Sequence, residues 1–199
     1  MTNRARRLPR AIREQQMLDS AVEVFSEFGF HGTSMEAIAT AAGVSKPMLY
    51  LYYGSKDELF AACISRETVR FLEAIAGAGD PQLSPFEQVN VGLVGFLKFV
   101  DEHRASWQVL YRQAVGQQAF AGQVAASRQR LIDLVSHVLQ ASTRNPEEDT
   151  DFSLMAVALV GAGEAVADRI ADGSVSVERA ATVLQNLAWR GLSGRRRES

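Results

Sequence analysis

From Ser45 to Lys56 the chain reads S-K-P-M-L-Y-L-Y-Y-G-S-K, with a lysine, a methionine and three tyrosines on one short predicted helix. A buried helix would exclude the hydroxyls and the ammonium, and a plain solvent face would exclude the aromatics. A duplex major groove accommodates the mixture. Lys46 can donate to guanine edges or phosphate oxygens, Met48 can cover a thymine methyl, and the Tyr50 and Tyr52 hydroxyls suit phosphate oxygens. Pro47 can pack on a sugar or methyl without offering a competing amide. This is the chemistry of recognition, not of bond making. The three histidines (His31, His103, His137) are far apart, with no helical pair and no metal-ligand spacing. Gly161-Ala162-Gly163 lies inside a predicted helix, so it is no nucleotide loop. The sequence therefore points away from an enzyme and calls for no metal and no cofactor.

The elements that must hold these residues follow from periodicity and punctuation. Met17, Ala21, Val24, Phe25 and Phe28 fall at helical spacing, predicting a helix over 11–28 that stops at Gly29. Thr33 and Glu36 have the spacing of a capping box that starts a second helix ending at Gly43. Ser45 caps the next helix, with Pro47 in its first turn. Gly43 allows a left-handed turn between the two, and Ile38, Ala39, Val44 and Leu49 supply their mutual contacts: a helix-turn-helix. Ser55 and Glu58 form a second box, opening a helix to about Ala76. Ser84 and Glu87 form a third, with Pro85 at the first helical position. Helices are then expected over 84–102, 104–116 and 118–142. Another is expected from a cap at Asn145–Glu148 to Ala171, and a last one over 177–191. The fold class is all-α, with about nine helices.

With 199 residues, 47% of them hydrophobic, the chain can bury a sizeable core, and no apolar run is long enough for a membrane span. The lone Cys63 excludes an intrachain disulfide and suits a reducing compartment, so a cytoplasmic location is expected. Residues 1–56 carry seven Lys/Arg against five acids, a net of +2, whereas the remainder carries −4. A basic arm (Arg4, Arg6, Arg7, Arg10) ahead of a small helical module suggests a local polyanion contact, with a solvated arm as the alternative.

The run from Phe28 to Phe60, FGFHGTSMEAIATAAGVSKPMLYLYYGSKDELF, resembles the DNA-binding domain of the tetracycline-repressor (TetR) family. The Gly-Phe-His-Gly-Thr-Ser turn, Ala-Gly-Val-Ser, Leu-Tyr and Ser-Lys-Asp-Glu-Leu stand together in register. The resemblance implies a helix-turn-helix domain over 1–56 and a ligand-binding and dimerisation domain over 57–199. It further implies a homodimer on a palindromic operator, usually a repressor, released by a small ligand. Residue by residue, Thr33 and Ser34 would begin the helix touching the DNA backbone. Ser45, Lys46, Pro47, Met48, Tyr50, Leu51 and Tyr52 would lie on the recognition helix, and Lys56 would meet a phosphate at a helix N-terminus. Tyr53 stands where phenylalanine is usual and is assigned to the core. Leu51 replaces a tyrosine or other polar or aromatic residue, so operator sequence does not carry over. A ligand-independent architectural DNA-binding protein is the competing reading.

Beyond residue 77 the sequence carries patterns and no motif. Phe71, Phe96, Phe99, Val100, Trp107, Leu110, Tyr111, Phe120, Val124, Leu131 and Leu134 place large apolar groups on successive helices. Each could be core or pocket wall. Because the resemblance puts an effector cavity here and the set lacks charge, an apolar or amphipathic ligand such as a fatty acyl compound is expected. GLVGFLKFVDEHRASWQVLYR and LQNLAWRGLS are loosely similar to acyl-responsive members. MAVALVGAGEAVADRIADG is rich in small residues, and Ala158, Gly161 and Ala165 suit close helix packing across a two-fold axis. Trp189 and Leu192 would anchor that interface, and intrachain packing is the alternative.

Overall fold

A computed structural model describes residues 9–75, 80, 82–114, 116–142 and 148–190, and among them it contains nine α-helices and no strand. Helix α1 (Arg10–Gly32) buries Met17, Leu18, Ala21, Val22, Val24 and Phe25 on one stripe. Its helical geometry breaks at Gly29 (φ 73°, ψ 167°), where the sequence predicted a stop. That conformation is open to glycine and closed to most other residues. A last turn carries Phe30 back over the core.

The cap of α2 (Met35–Ala41) differs from expectation. Ser34, not Thr33, is its N-cap, its Oγ accepting from the Ala37 amide at 3.1 Å. Thr33 is buried, so its hydroxyl needs an acceptor within the protein, and it donates to the Gly29 and Val24 carbonyls (2.7 and 3.3 Å). It seals the end of α1 instead. Glu36 does not reach back but pairs with Lys46. Gly43 takes the left-handed turn (φ 64°), and Ser45 caps α3 (Lys46–Tyr52) by accepting from the Met48 amide. Ile38, Ala39 and Leu49 are buried between the helices.

Helix α4 (Lys56–Ile75) is capped by Ser55, and Glu58 reaches one residue past the expected box to the Gly54 amide (3.2 Å). Leu59, Phe60, Cys63 and Ile64 belong to the core shared with α1–α3. Phe71 and Ile75 belong to a second core. The change of core falls inside α4 and not at residue 56. At the changeover Glu67, fully buried, takes a hydrogen bond from Arg66 Nε (2.6 Å). Arg66 also donates to Asp19 (2.7 Å) on α1.

The second core gathers α4, α5 (Pro85–Glu102), α8 (Phe152–Ala171) and α9 (Val177–Arg190). Ser84 and Glu87 form the predicted capping box, and Ser84's hydrogen bonds hold the Glu87 carboxyl below its usual range. Helix α6 (Arg104–Trp107) passes into a π-helix, Gln108–Gln113, where an uninterrupted α-helix was expected. The wider turn seats Val109, and Ala114 just after it, in the first core, while Tyr111 packs against both cores. Helix α7 (Gln118–Ser142) contributes Phe120 and Val124 to the first core and packs lengthwise on α8. Helix α8 begins at Phe152 with Asp151 as its cap (Leu154 amide to Oδ1, 2.9 Å), not at the Asn145–Glu148 segment, of which 145–147 lie outside the described residues.

Gly95 marks the tightest helix contact. A β-carbon there would stand 2.3 Å from the Ala74 carbonyl oxygen. Gly122, exposed on α7, would meet nothing within 4 Å. Gly95→Ala is expected to lower stability by about 1–3 kcal/mol. Gly122→Ala should raise it by about 0.5–1 kcal/mol. Urea titrations of both variants check the opposite signs.

Candidate nucleic-acid interface and ligand cavity

On α3, Leu49 faces inward, while Ser45, Lys46, Pro47, Tyr50 and Leu51 are exposed and Met48 and Tyr52 half-buried. Leu51 is 81% exposed and Tyr50 44%. With the half-buried Met48 and Tyr52 they make the outward part of α3 apolar and aromatic around Lys46. Tyr53 points into the core, as its place in the sequence suggested, and burial pushes its phenol far above the usual range. Lys46 and Glu36 are both exposed at 3.4 Å, a weak pair that leaves the ammonium free to move to an anion. Arg10, the described end of the basic arm, lies over the Tyr52 ring at 5.4 Å. Arg4, Arg6 and Arg7 lie outside the described residues.

Two expected DNA contacts have other tasks. The Thr33 hydroxyl is committed to α1, as described above. The Lys56 ammonium donates to the Phe30 and Thr33 carbonyls (2.8 and 3.0 Å) and sits 4.5 Å from the Phe30 ring centroid. It clamps the turn after Gly29 to the start of α4, leaving one N–H for a phosphate.

Between α4, α5, α7, α8 and α9 lies a cavity of about 120 Å³. Phe96, Tyr111, Leu131 and Leu134 line it, together with smaller groups such as Val89, Leu93, Val135, Leu159 and Gly163. Phe71, Phe99, Val100 and Trp107 are packed in the second core, off the cavity wall. Phe120 and Val124 belong to the first core. The Leu110 side chain lies outside the described residues. The sequence pattern points to large aromatics, whereas this wall is mostly aliphatic. Its one charged residue, among those described, is Glu164, gripped by Arg128 Nε (2.9 and 3.1 Å) and Nη2 (3.0 Å).

The cavity wall is tied to its surroundings through the π-helix. Tyr111 stacks on Trp107 (centroids 4.0 Å apart), whose indole N–H donates to Asp168 on α8 (3.0 Å). Burial raises the Asp168 carboxyl, but hydrogen bonds from Trp107 and Arg112 outweigh it and leave the group below its usual range. Two residues beyond Tyr111, Gln113 donates to the Phe25 and Ser26 carbonyls of α1 (2.6 and 3.3 Å).

Residues 17–63 match the family model described as bacterial regulatory proteins, tetR family, and residues 85–191 match the one described as tetracyclin repressor-like, C-terminal domain. The chain belongs to the TetR family. It is 30% identical over 197 residues to the HTH-type transcriptional activator FasR of Mycolicibacterium smegmatis, spanning 96% of this chain and 87% of that protein. A TetR-like transcriptional regulator from Rhodococcus sp. RHA1 superposes with a TM-score of 0.86 at 65% identity, covering 95% of this chain and 100% of the other. Bacillus subtilis FadR, solved with stearoyl-CoA, shares the fold at a TM-score of 0.79 and 16% identity, over 89% of this chain and 98% of that one.

A TetR-family member is a DNA-binding regulator and not an enzyme, and it is typically dimeric. Here α8 leaves Leu154, Val157, Ala158 and Ala165 exposed on one stripe, with Gly161 half-buried among them. Val183 and Leu187 are exposed on α9. The Trp189 side chain and Leu192 lie outside the described residues.

The clamp and the groove-facing lysine separate by experiment. Lys56→Met should lower stability by about 1–3 kcal/mol, as for hydrogen bonds to a charged donor, and weaken all DNA sequences alike. Lys46→Ala should leave the melting temperature unchanged and flatten discrimination at one base pair by about 1–3 kcal/mol. Thermal melting, with anisotropy titrations on single-base variants of a selected operator, reads both.

Proposed function

We propose that the chain is a cytoplasmic homodimeric transcriptional repressor that holds a palindromic operator through α3 and is released by an apolar or amphipathic effector, a fatty acyl compound being the best fit. The observation that carries this reading is the placement of α4. Ile75 at its end lines the cavity, while Phe60 near its start sits in the core beneath the recognition helix. The two lie about 22 Å apart along one continuous helix. Filling the cavity against Ile75 then tilts a lever whose other end carries α3. The half-sites are fixed by DNA geometry about a helical turn apart or a multiple of it, so a small change in α3 separation prevents simultaneous docking.

The Tyr111–Gln113 segment supplies a second link, because it touches the cavity and α1 within three residues. The aliphatic wall supports the effector class, and FadR offers a fold precedent with stearoyl-CoA. FasR is named an activator. The sign of regulation thus depends on where an operator lies relative to a promoter, and repression is proposed for one that overlaps it. An architectural protein would gain stability by filling such a cavity with its own side chains. The open cavity therefore favours the effector-responsive reading over the ligand-independent one.

The exposed stripe of α8 with Val183 and Leu187 is the proposed dimer face. Ala158→Glu combined with Val183→Glu should give monomers by light scattering and abolish specific operator binding, since one half-site cannot supply the affinity of two. Monomeric wild type at micromolar concentration would refute the assembly.

Linkage tests the switch. An effector that weakens operator binding some 5–150-fold must itself bind that much more weakly to the operator complex. Titrating aliphatic thioesters with and without operator reads the factor. Tight but equal binding in both titrations would favour the ligand-independent reading.

A further inference from the structure

We propose that the cavity recognises an uncharged carbonyl on its apolar ligand, and that the Tyr111 hydroxyl is the group that donates to it. The proposal rests on the reading of the cavity as an effector site and names the head-group chemistry that site selects.

The polar side chains on the cavity wall, among the described residues, are Gln88, Tyr111 and Glu164. Gln88 donates through Nε2 to the Asp80 and Leu83 carbonyls. Glu164 is held by Arg128 through three contacts of 2.9 to 3.1 Å. The Tyr111 hydroxyl makes no hydrogen bond among the described residues, although its ring is fixed. It stacks on Trp107 at 4.0 Å, and Phe71 meets it at 6.2 Å and 69°. Trp107 is itself held by Asp168. A placed donor without an acceptor, in a wall of aliphatic groups, leaves a hydrogen bond for the ligand to complete.

Three kinds of head group meet this arrangement differently. A carboxylate meets the negative charge of Glu164 on the wall, while the guanidinium that offsets it belongs to Arg128, which does not line the cavity. A cation finds Glu164 already neutralised. An uncharged carbonyl, as in a thioester or ester, accepts from Tyr111 and disturbs nothing. Burial first, and then the nearby Glu164 charge, push the Tyr111 phenol far above its ordinary range, so it remains a donor at every physiological pH.

The test uses the full-length protein and four ligands sharing one aliphatic chain: the decanoyl thioester of N-acetylcysteamine, methyl decanoate, decanoate, and the S-decyl thioether of N-acetylcysteamine. The thioether replaces the carbonyl by a methylene. By calorimetry the thioester should bind about tenfold more tightly than the thioether, the upper range of one neutral hydrogen bond. Tyr111→Phe should erase that difference while leaving thioether affinity unchanged, which also shows that the variant is folded. Methyl decanoate distinguishes an ester from a thioester source and should lose affinity in Tyr111→Phe likewise. Decanoate should bind wild type most weakly. Glu164→Gln, which frees Arg128 and removes the repelling charge, should raise its affinity. Equal binding of thioester and thioether by wild type, or preference for decanoate, would overturn the proposal while leaving the apolar effector reading intact. Failure of every chain compound, the thioether included, would remove that reading and the proposal together.

Discussion

Glu67, a carboxylate with no exposed surface, sits on α4 where one core gives way to the other. Such a charge is tolerated only when paired, and removing its partner costs about 3–5 kcal/mol. Arg66 provides the pairing and extends it, bridging to Asp19 and Gln15 on α1, while Arg70 approaches from the next turn (3.5 Å). The network therefore does more than neutralise a charge. It ties α4 to the first helix of the DNA-binding module. Apolar burial at either end of α4 provides stability, and the ion network at its centre provides a defined orientation. The helix joins the cavity wall at Ile75 to the core beneath α3 at Phe60.

The same logic explains why the cores overlap the expected domain boundary. Phe25, Phe30, Phe60 and Phe120 form one aromatic cluster, with neighbouring centroids 4.8 to 6.1 Å apart. Three of these rings come from the DNA-binding module or the start of α4, and the fourth comes from α7. Val109 of the π-helix and Ala114 just after it enter the same core. The helices that wall the cavity are thus packed directly against the module they would control. A coupling of this kind uses contiguous packing and needs no long-range relay.

Much of this was legible in the sequence, because turn chemistry is local. Gly43, Ser45, Pro47 and the Ser84–Glu87 box act within a few residues, and the helices they delimit stand close to where the pattern placed them. Leu49 inward and Leu51 outward follow from helical spacing alone. The misreadings are tertiary. Thr33 had the right spacing for a cap, but its burial turned the hydroxyl towards α1, and nothing local signals burial. Lys56 has a second task that the sequence did not show: two carbonyls near the Gly29 break, distant in sequence, take two of its three N–H groups and leave one for a phosphate. The π-helix adds one residue to a turn and leaves the apolar pattern nearly unchanged. Cavity residues and core residues have the same composition, so periodicity could not tell Leu131 from Val100. On α8 the small residues Ala158, Gly161 and Ala165 do share one face, as helical spacing requires, with Ala158 and Ala165 exposed and Gly161 half-buried.

In the proposed switch, occupancy of the cavity changes the separation of the two recognition helices. Electron paramagnetic resonance between spin labels on Leu51→Cys in the two subunits measures that separation directly. The native thiol does not compete, because Cys63 is buried and its pKa is pushed up to about 12. A lever acting through α4 predicts one distance distribution in the free dimer, compatible with half-sites about 34 Å apart or a multiple of it, and a shift of several ångströms when an effector is bound. An effector that releases operator DNA while leaving the distribution unchanged would contradict it.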